Sequence, residues 1–221
     1  MPAAANVANQ SVARALQILR ELAGAQDGIG VRELARSIKV SPSIAQRLIS
    51  TLAEYGFAEQ EASRRYRVGV QAFAVGNAYL SAHALVRAGL AELRELAGKP
   101  QLNGYLGVLR GREVVYLIAL QSSGPIAIKS APGARTHLHT TALGKAILAQ
   151  MSDEDAARLL GEPPFARLTP KTRTRLAPLL ADLRVARRNG YAISDEENLA
   201  GVYAIGAAVR DADGATVAAI S

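Results

Sequence analysis

A polar stripe at helical spacing is the part of this sequence whose residue types point most directly to a chemistry. Over residues 42–54, polar side chains recur every three or four positions, and apolar side chains recur at the same spacing on the opposite side. The polar positions are Ser43, Gln46, Arg47 and Ser50. Arginine pairs with guanine O6 and N7, and glutamine pairs with adenine N6 and N7, in the major groove of DNA. The stripe therefore predicts a helix that reads base edges, and an ordinary surface helix with a weakly charged side is the alternative.

Two further helices precede this one and give the order of a helix-turn-helix. Apolar residues at three- and four-residue steps predict a first helix from Ser11 and a short second helix over 31–38. The turn Lys39-Val40 joins the second helix to the third, which Ser41 caps because its hydroxyl accepts from a free amide at the helix start. This arrangement predicts that the third helix enters the major groove.

A two-stranded wing is predicted directly after the third helix. Extended segments at 57–60 and 66–69 flank a turn that contains Arg64 and Arg65. Two cations at a hairpin tip suit phosphate contacts that do not depend on base sequence, although a charged tip is often only solvated. The predicted DNA contacts are Ser41, Ser43, Gln46, Arg47, Ser50, Arg64 and Arg65.

Residue types that enzymes use are present, but they do not form a catalytic or metal-binding pattern. His137 and His139 share one face of a strand, yet no third ligand is near in sequence, so we interpret them as hydrogen-bonded structural residues. The consecutive acids Asp195, Glu196 and Glu197 alternate in direction and are typical of a solvated cap. The chain has no cysteine and no G-x-S-x-G, G-x-G-x-x-G or P-loop motif. We therefore predict no catalysis, no metal and no cofactor; a small-metabolite enzyme with an accessory DNA-binding domain is the alternative.

Composition limits the class of protein. The 221 residues are 49% hydrophobic and 20% charged, which is enough for packed cores and unlike a disordered chain. The net charge of +7 suits nucleic acid, but it is spread along the chain and does not by itself locate a DNA-binding domain. We find neither a signal peptide nor an apolar stretch near the roughly 20 residues of a membrane helix. Together with the absence of cysteine, this predicts a cytoplasmic protein with no membrane partner.

One long helix is predicted over 70–98. Small and apolar residues step by three and four along it, which is typical of a seam between two helices. Gly89 is the weak point of this helix, where we expect any kink or break. The seam predicts a linker that holds two copies of the chain together, and it consists of Tyr79, Ala82, Val86, Gly89, Leu93 and Leu96.

The remainder of the chain mixes strands and helices without a regular β-α-β order, which favours a mainly antiparallel α+β domain. Thr141 is expected to cap a short helix, and a longer one is expected over 171–188. Because Pro178 lies inside the longer helix, we expect that helix to begin later or to be kinked. Strands are predicted as hairpins at 105–120 and 202–221 and singly at 125–130, and the short helix is predicted at 142–150.

Several segments resemble the IclR family of bacterial transcriptional regulators, and the resemblance spans nearly the whole chain. In the N-terminal part they are SVARALQILRELA, VRELARSIKVSPSIAQRLISTLAEYGF and RRYRVG. In the C-terminal part they are GARTHLHTTALGKAILA and NGYAISDEENLAGVYAIGAAVRDADGATVAAIS. Both sets occur in this order with a helical segment between them, which makes the match specific.

The resemblance implies a ligand-responsive regulator, which we expect to be a repressor of a metabolic or catabolic operon. It implies a winged helix-turn-helix over 1–76, a helical linker over 77–98 and a GAF-like effector-binding domain over 99–221. Members of the family bind palindromic double-stranded DNA operators as homodimers or homotetramers. They also continue past the strand that ends at Ser221, generally with a helix, so the resemblance implies an effector domain that is truncated or differently capped here.

The resemblance also implies where a small-molecule effector binds. The family pocket lies around the start of the helix that Thr141 caps and along the strands of the last motif. Free amides and the helix dipole favour an anion at that helix start, so we expect a small carboxylate or hydroxy acid. Transferred to this sequence, the implied effector-binding residues are Ile128, Thr140, Ala142, Leu143, Ser194, Val202, Ala204 and Ser221.

Overall fold

The structure is a computed structural model that describes residues 9–98, 102–121 and 130–221. The chain divides into two compact units, the first ending at Ala82 and the second beginning at His83. No helix in the described ranges is long and apolar enough to cross a membrane.

The N-terminal unit is a three-helix core with a two-stranded wing. Asn9 begins the first helix by accepting hydrogen bonds from the amides of Ser11 and Val12, and Ser41 begins the third by accepting one from Ile44. The apolar sides of the helices meet in one core with the wing, built on Ile18, Leu22, Leu34, Ile49, Ala58 and Tyr66. The elements are α1 (Gln10–Gly24), α2 (Val31–Ser37), α3 (Pro42–Glu54), β1 (Ala58–Gln60), β2 (Tyr66–Val68) and α4 (Val70–Ala82).

The prediction of a single helix over 70–98 is wrong. Helix α4 ends at Ala82 and α5 (Ala84–Ala97) begins two residues later, because His83 has extended backbone angles. Gly89, where a break was expected, lies within α5 and against Leu106. Because part of the expected seam packs on the chain's own strands, that part is not available to a second copy.

The C-terminal unit is built on a six-stranded antiparallel sheet, which confirms the α+β class. The strand order is β5-β4-β3-β8-β7-β6, and both predicted hairpins are present. The edge strand at 192–195 was not predicted, and the one at 135–137 contains His137 but not His139, which was expected on the same strand. The strand predicted at 125–130 falls outside the described residues except for Ser130. The strands are β3 (Gly104–Arg110), β4 (Glu113–Leu120), β5 (Arg135–His137), β6 (Ala192–Asp195), β7 (Tyr203–Arg210) and β8 (Thr216–Ile220).

Helices cover both faces of this sheet. Adjacent residues of β3 point to opposite faces, so Leu106 meets α5 while Gly107 meets Leu143 of α6. Helix α6 (Ala142–Leu148) is buried along its whole length, and Thr141 caps it as predicted. Helix α7 (Asp153–Leu160) and helix α8 (Leu176–Asn189) complete the unit. Helix α8 begins later than residue 171, which places Pro178 in the first turn, where its missing N–H costs no helical hydrogen bond.

Candidate nucleic-acid interface and effector cavity

Helix α3 has the two-sided character that its sequence predicts. Ala45 and Ile49 are fully buried, whereas all four polar-stripe residues are exposed. Ser41, at the start of the helix, accepts from the Ile44 amide at 3.4 Å and lies 3.0 Å from the Ser43 hydroxyl. The helix therefore presents hydrogen-bonding side chains on one continuous outer side.

Arg47 is the residue of this outer side that is most available to a partner. The Gln46 amide donates to the Ser50 hydroxyl at 3.0 Å and to the Tyr66 hydroxyl at 3.3 Å, so these side chains satisfy one another. The Arg47 guanidinium makes no hydrogen bond or ion pair with another described residue. A bidentate donor without an internal partner is suited to a guanine edge.

The two arginines of the wing turn are not equivalent, which corrects the expectation that both face DNA in the same way. The Arg65 guanidinium donates to the carbonyls of Asp27 and Gly28 and to Glu33, at 3.0–3.3 Å. The amide of Gly30 and the charge of Arg65 hold the pKa of the Glu33 carboxyl below its ordinary value. Arg65 thus ties the wing to the start of α2.

Arg64 has no such role. Its side chain is exposed and makes no hydrogen bond or ion pair with a described residue. The guanidinium is therefore free to meet a phosphate. Sequence alone did not separate the two arginines, because the partner of Arg65 is 32 positions away along the chain.

We expect Arg64→Ala and Arg65→Ala to give different phenotypes. Arg64→Ala should leave stability unchanged and lower the slope of log K against log salt by about 1, the loss of one phosphate contact. Arg65→Ala should destabilise the N-terminal unit by about 1 kcal/mol, because hydrogen bonds within the domain are lost, and should leave the slope unchanged. Salt titrations of DNA binding and thermal melts of both variants measure this difference. A slope unaffected by Arg64→Ala would exclude a phosphate contact.

The C-terminal unit contains a cavity of about 570 Å³ beside the end of β8. Three of the residues predicted to bind an effector line it: Val202, Ala204 and Ser221. The backbone of Ser221 pairs with Tyr105 through two hydrogen bonds, of 2.7 and 2.9 Å. The remaining lining is mostly apolar and is formed by Leu96, Leu102, Asn103, Tyr105, Gly201, Tyr203, Ile205, Gly206, Ala207 and Ile220.

Four other predicted effector residues do not line this cavity. The Ser194 hydroxyl donates to the Thr140 carbonyl at 2.6 Å, and the Thr140 hydroxyl donates to Asn198 at 2.9 Å. Ala142 and Leu143 are buried in the packing of α6 on the sheet. The predicted set is therefore divided between the cavity and the packed start of α6, and Ile128 lies outside the described residues.

The start of α6 also differs from the anion site that was expected there. The Gly144 amide donates to the Thr141 hydroxyl at 3.1 Å, so one of the amides expected to be free is already bonded. A Cβ placed on Gly206 would lie 2.8 Å from the Ala142 carbonyl, which shows how closely β7 approaches the helix. A carboxylate therefore has no space between this helix start and β7.

A buried ion pair on α6 was missed by the sequence analysis. The Lys145 ammonium donates to Glu197 at 2.5 Å, to the Ile193 carbonyl at 3.2 Å and to Asp182 at 3.4 Å. Lys145 and Glu197 are both buried, so the interpretation of Glu197 as part of a solvated cap is wrong. The sequence feature that could have predicted this ion pair is the isolated lysine in the apolar run ALGKAIL, because a buried lysine needs an opposite charge.

The other two acids and His139 have structural partners. Asp195 and Glu196 are bound by Lys171, at 3.2 and 2.6 Å. The His139 ring lies 2.9 Å from the Ala166 carbonyl, and burial lowers the pKa of His139. Within the described ranges, no three side chains of the metal-ligating types form a group.

A winged helix-turn-helix and an α+β unit with a cavity together define a ligand-responsive, DNA-binding transcriptional regulator. The family model of the IclR helix-turn-helix domain matches residues 11–62, and that of the bacterial transcriptional regulator IclR C-terminal domain matches residues 77–221. The chain belongs to the IclR family.

Named relatives agree with this assignment over most of their length. The HTH-type transcriptional regulator BhcR of Paracoccus denitrificans is 34% identical over 209 residues, which are 94% of this chain and 75% of that protein. The glycerol operon regulatory protein of Streptomyces griseus is 34% identical over 91% of this chain and 79% of its own. The crystal structure of Thermotoga maritima IclR is 26% identical with a TM-score of 0.71, covering 95% of this chain and 85% of that one.

Proposed function

We propose that this regulator represses a metabolic operon by binding a palindromic operator through α3, and that a small molecule in the C-terminal cavity alters this binding. Arg47 is exposed on the polar side of α3 and has no partner among the described residues, and this observation most supports DNA reading by the helix. Further base contacts come from its neighbours on the polar side of α3, which are Ser43, Gln46 and Ser50. Arg64 binds a phosphate of the DNA backbone.

Helix α4 supports self-association. None of its residues is buried, and its exposed side chains include Phe73 at 72% and Val70 at 64% exposure. A helix that is apolar all round is ordinarily covered by protein. A second copy of the chain covers it in our proposal, as a dimer or a dimer of dimers. Two α3 helices related by a two-fold axis then meet half-sites about 34 Å apart, or a multiple of that distance.

Binding without chemical turnover is the role that we propose for the C-terminal unit. The described residues that line its cavity include no Asp, Glu, Lys or His to act as acid or base. The curated relatives are named as regulators. We further propose that residues 77–98 link a DNA-binding domain over 1–76 to an effector domain over 99–221, in the cytoplasm where the operator DNA lies. The α5 part of this linker packs on the sheet of the effector domain and contributes Leu96 to its cavity. Turnover of a bound metabolite by the pure protein would instead favour the enzyme alternative.

The operator is obtained by selecting duplexes from a random library with the full chain. We expect the selected sites to be palindromic. On the selected duplex, Arg47→Ala should weaken binding by about 2 kcal/mol, because a bidentate base contact is lost, and should relax the preference at one base position of each half-site.

A matched control separates base reading from general charge loss. Arg20→Ala removes an exposed arginine from α1 and changes the net charge equally. Its effect should be the same on the selected and on a scrambled duplex, whereas that of Arg47→Ala should be larger on the selected one. Equal losses on both duplexes for Arg47→Ala would make Arg47 a phosphate contact and contradict its proposed role in reading bases.

A further inference from the structure

The side-chain amide of Gln46 is held by two hydroxyls, one on its own helix and one on the wing. Its nitrogen Nε2 donates to the Ser50 hydroxyl at 3.0 Å and to the Tyr66 hydroxyl at 3.3 Å. An amide nitrogen carries two hydrogens, so these two bonds use its whole donating capacity. The amide oxygen Oε1 makes no hydrogen bond with another described residue, and Gln46 is exposed. In this arrangement Gln46 offers only an acceptor to a partner.

Tyr66 is held in place from several sides. It is the first residue of β2, is 4% exposed, and its side chain belongs to the core of the N-terminal unit. Its N–H donates to the Ile29 carbonyl and its carbonyl accepts from the Ile29 N–H, both at 2.9 Å. The Tyr66 hydroxyl therefore does not follow the Gln46 side chain when that side chain moves. It is a fixed point that orients a flexible side chain of α3.

Contact with DNA favours keeping this arrangement. The bond with Gln46 is the only hydrogen bond that the Tyr66 hydroxyl makes among the described residues. A major-groove contact removes water from α3, so a Gln46 amide that turned its nitrogen toward a base would leave the hydroxyl of a buried residue unsatisfied. Pairing of a base with Oε1 requires neither bond to break.

We propose that Tyr66 is a positioning residue whose hydroxyl makes Gln46 an acceptor-only reader of the major groove. This rests on the base reading by α3 proposed above. Adenine N6 and cytosine N4 donate in the major groove, whereas guanine O6 and thymine O4 accept. The base that faces Gln46 is therefore adenine or cytosine. It is not adenine alone, because the N–H that would pair with adenine N7 is already used.

Binding measurements on four matched duplexes test the base preference. Selection from a random library with the full chain and with its Gln46→Ala variant locates the base position, because discrimination there is lost in the variant. Duplexes that carry each of the four bases at this position of one half-site are then titrated by fluorescence anisotropy. The wild type should bind the adenine and cytosine duplexes within about 2-fold of each other, and the guanine and thymine duplexes about 3–10-fold more weakly, the range for one hydrogen bond.

Tyr66→Phe assigns the restriction to the wing hydroxyl. This variant keeps the buried ring and frees one N–H of Gln46 to pair with adenine N7 while Oε1 pairs with N6. Its preference for adenine over cytosine should rise about 3–10-fold, since one hydrogen bond is added. A purely structural role of Tyr66 would weaken binding to all four duplexes alike and leave this ratio unchanged.

Two further variants serve as controls. Tyr55 follows the last residue of α3, is 68% exposed, and its hydroxyl makes no hydrogen bond with a described residue. Tyr55→Phe should therefore leave the order of the four duplexes unchanged. Gln46→Glu places a side chain that only accepts at the exposed position itself. It should still bind the adenine and cytosine duplexes more tightly than the other two, even though the added negative charge weakens binding overall.

Three results on a chain that selects an operator would overturn the proposal. Tighter binding of the guanine or thymine duplex would mean that the amide nitrogen faces the base. An adenine-to-cytosine ratio that Tyr66→Phe leaves unchanged would remove the role of the wing hydroxyl. No loss of discrimination at any position in Gln46→Ala would mean that Gln46 does not read a base. A wild-type chain that selects no operator contradicts the proposed function itself, so the two failures are distinguishable.

Discussion

Replacing Lys145 with methionine is expected to lower the free energy of unfolding of the C-terminal unit by about 3–5 kcal/mol at pH 7. Lys145 is 2% exposed, and its three ammonium hydrogens face three acceptors, on Glu197, Ile193 and Asp182. Methionine replaces the four-atom apolar stem of lysine but not its ammonium group, so it leaves the Glu197 carboxylate buried without its opposite charge. Chemical denaturation followed by circular dichroism measures the loss, since the chain has no tryptophan.

The pH dependence of this loss identifies its cause. Burial already raises the pKa of the Glu197 carboxyl above its ordinary 4.5, while Lys145 opposes the rise. Without Lys145, the rise is larger, and an acid with a raised folded-state pKa loses stability as the pH increases through that pKa. The destabilisation by Lys145→Met should therefore be small at pH 4 and grow toward pH 7.

A double variant completes the test of the ion pair. Lys145→Met combined with Glu197→Met removes both charges, and replacing a whole buried pair by apolar groups is often close to neutral. It should therefore recover much of the stability that the single variant loses. Equal losses at pH 4 and pH 7, or a double variant less stable than the single one, would show that packing rather than charge explains the effect.

The elements that were predicted correctly are those whose signals are local. Helix α3 has the bounds given by its stripe and by the Ser41-Pro42 start, and Thr141 caps α6. The helix break was misplaced at Gly89, because glycine lowers helix propensity, whereas packing of Gly89 against Leu106 decides the outcome. A tertiary contact of this kind does not show in a single sequence.

The candidate sites were predicted only in part for the same reason. The exposure of Arg47 follows from the helical period of α3 itself. That Arg65 is bound depends on Glu33, 32 positions away along the chain, and that Lys145 is buried depends on Glu197, 52 positions away. Residue types indicated the class of chemistry. Which side chains find a partner within the protein, however, is decided by the fold.

Gly144→Ala is expected to destabilise the C-terminal unit by about 3 kcal/mol, at the upper end of the range for overpacking. A Cβ on Gly144 would lie 2.3 Å from the carbonyl oxygen of Leu138 and 2.5 Å from its Cα. These are backbone atoms, so no side chain can rotate away. Helix α6 is also held from the sheet side, where Gly206 allows β7 to approach Ala142. The helix therefore has no direction in which to move and relieve the contact.

Gly24→Ala is the matched control for this substitution. Gly24 is the last residue of helix α1, is exposed, and has no atom within 4 Å of the position that a Cβ would occupy. Alanine there should stabilise the N-terminal unit by about 0.5–1 kcal/mol, because glycine loses more backbone entropy in a helix. Chemical denaturation of both variants compares the change in unfolding free energy for the same substitution at an exposed site and at a tightly packed one. A Gly144→Ala variant as stable as the wild type would mean that α6 can shift against Leu138, which would contradict the tight packing that keeps an effector from the start of this helix.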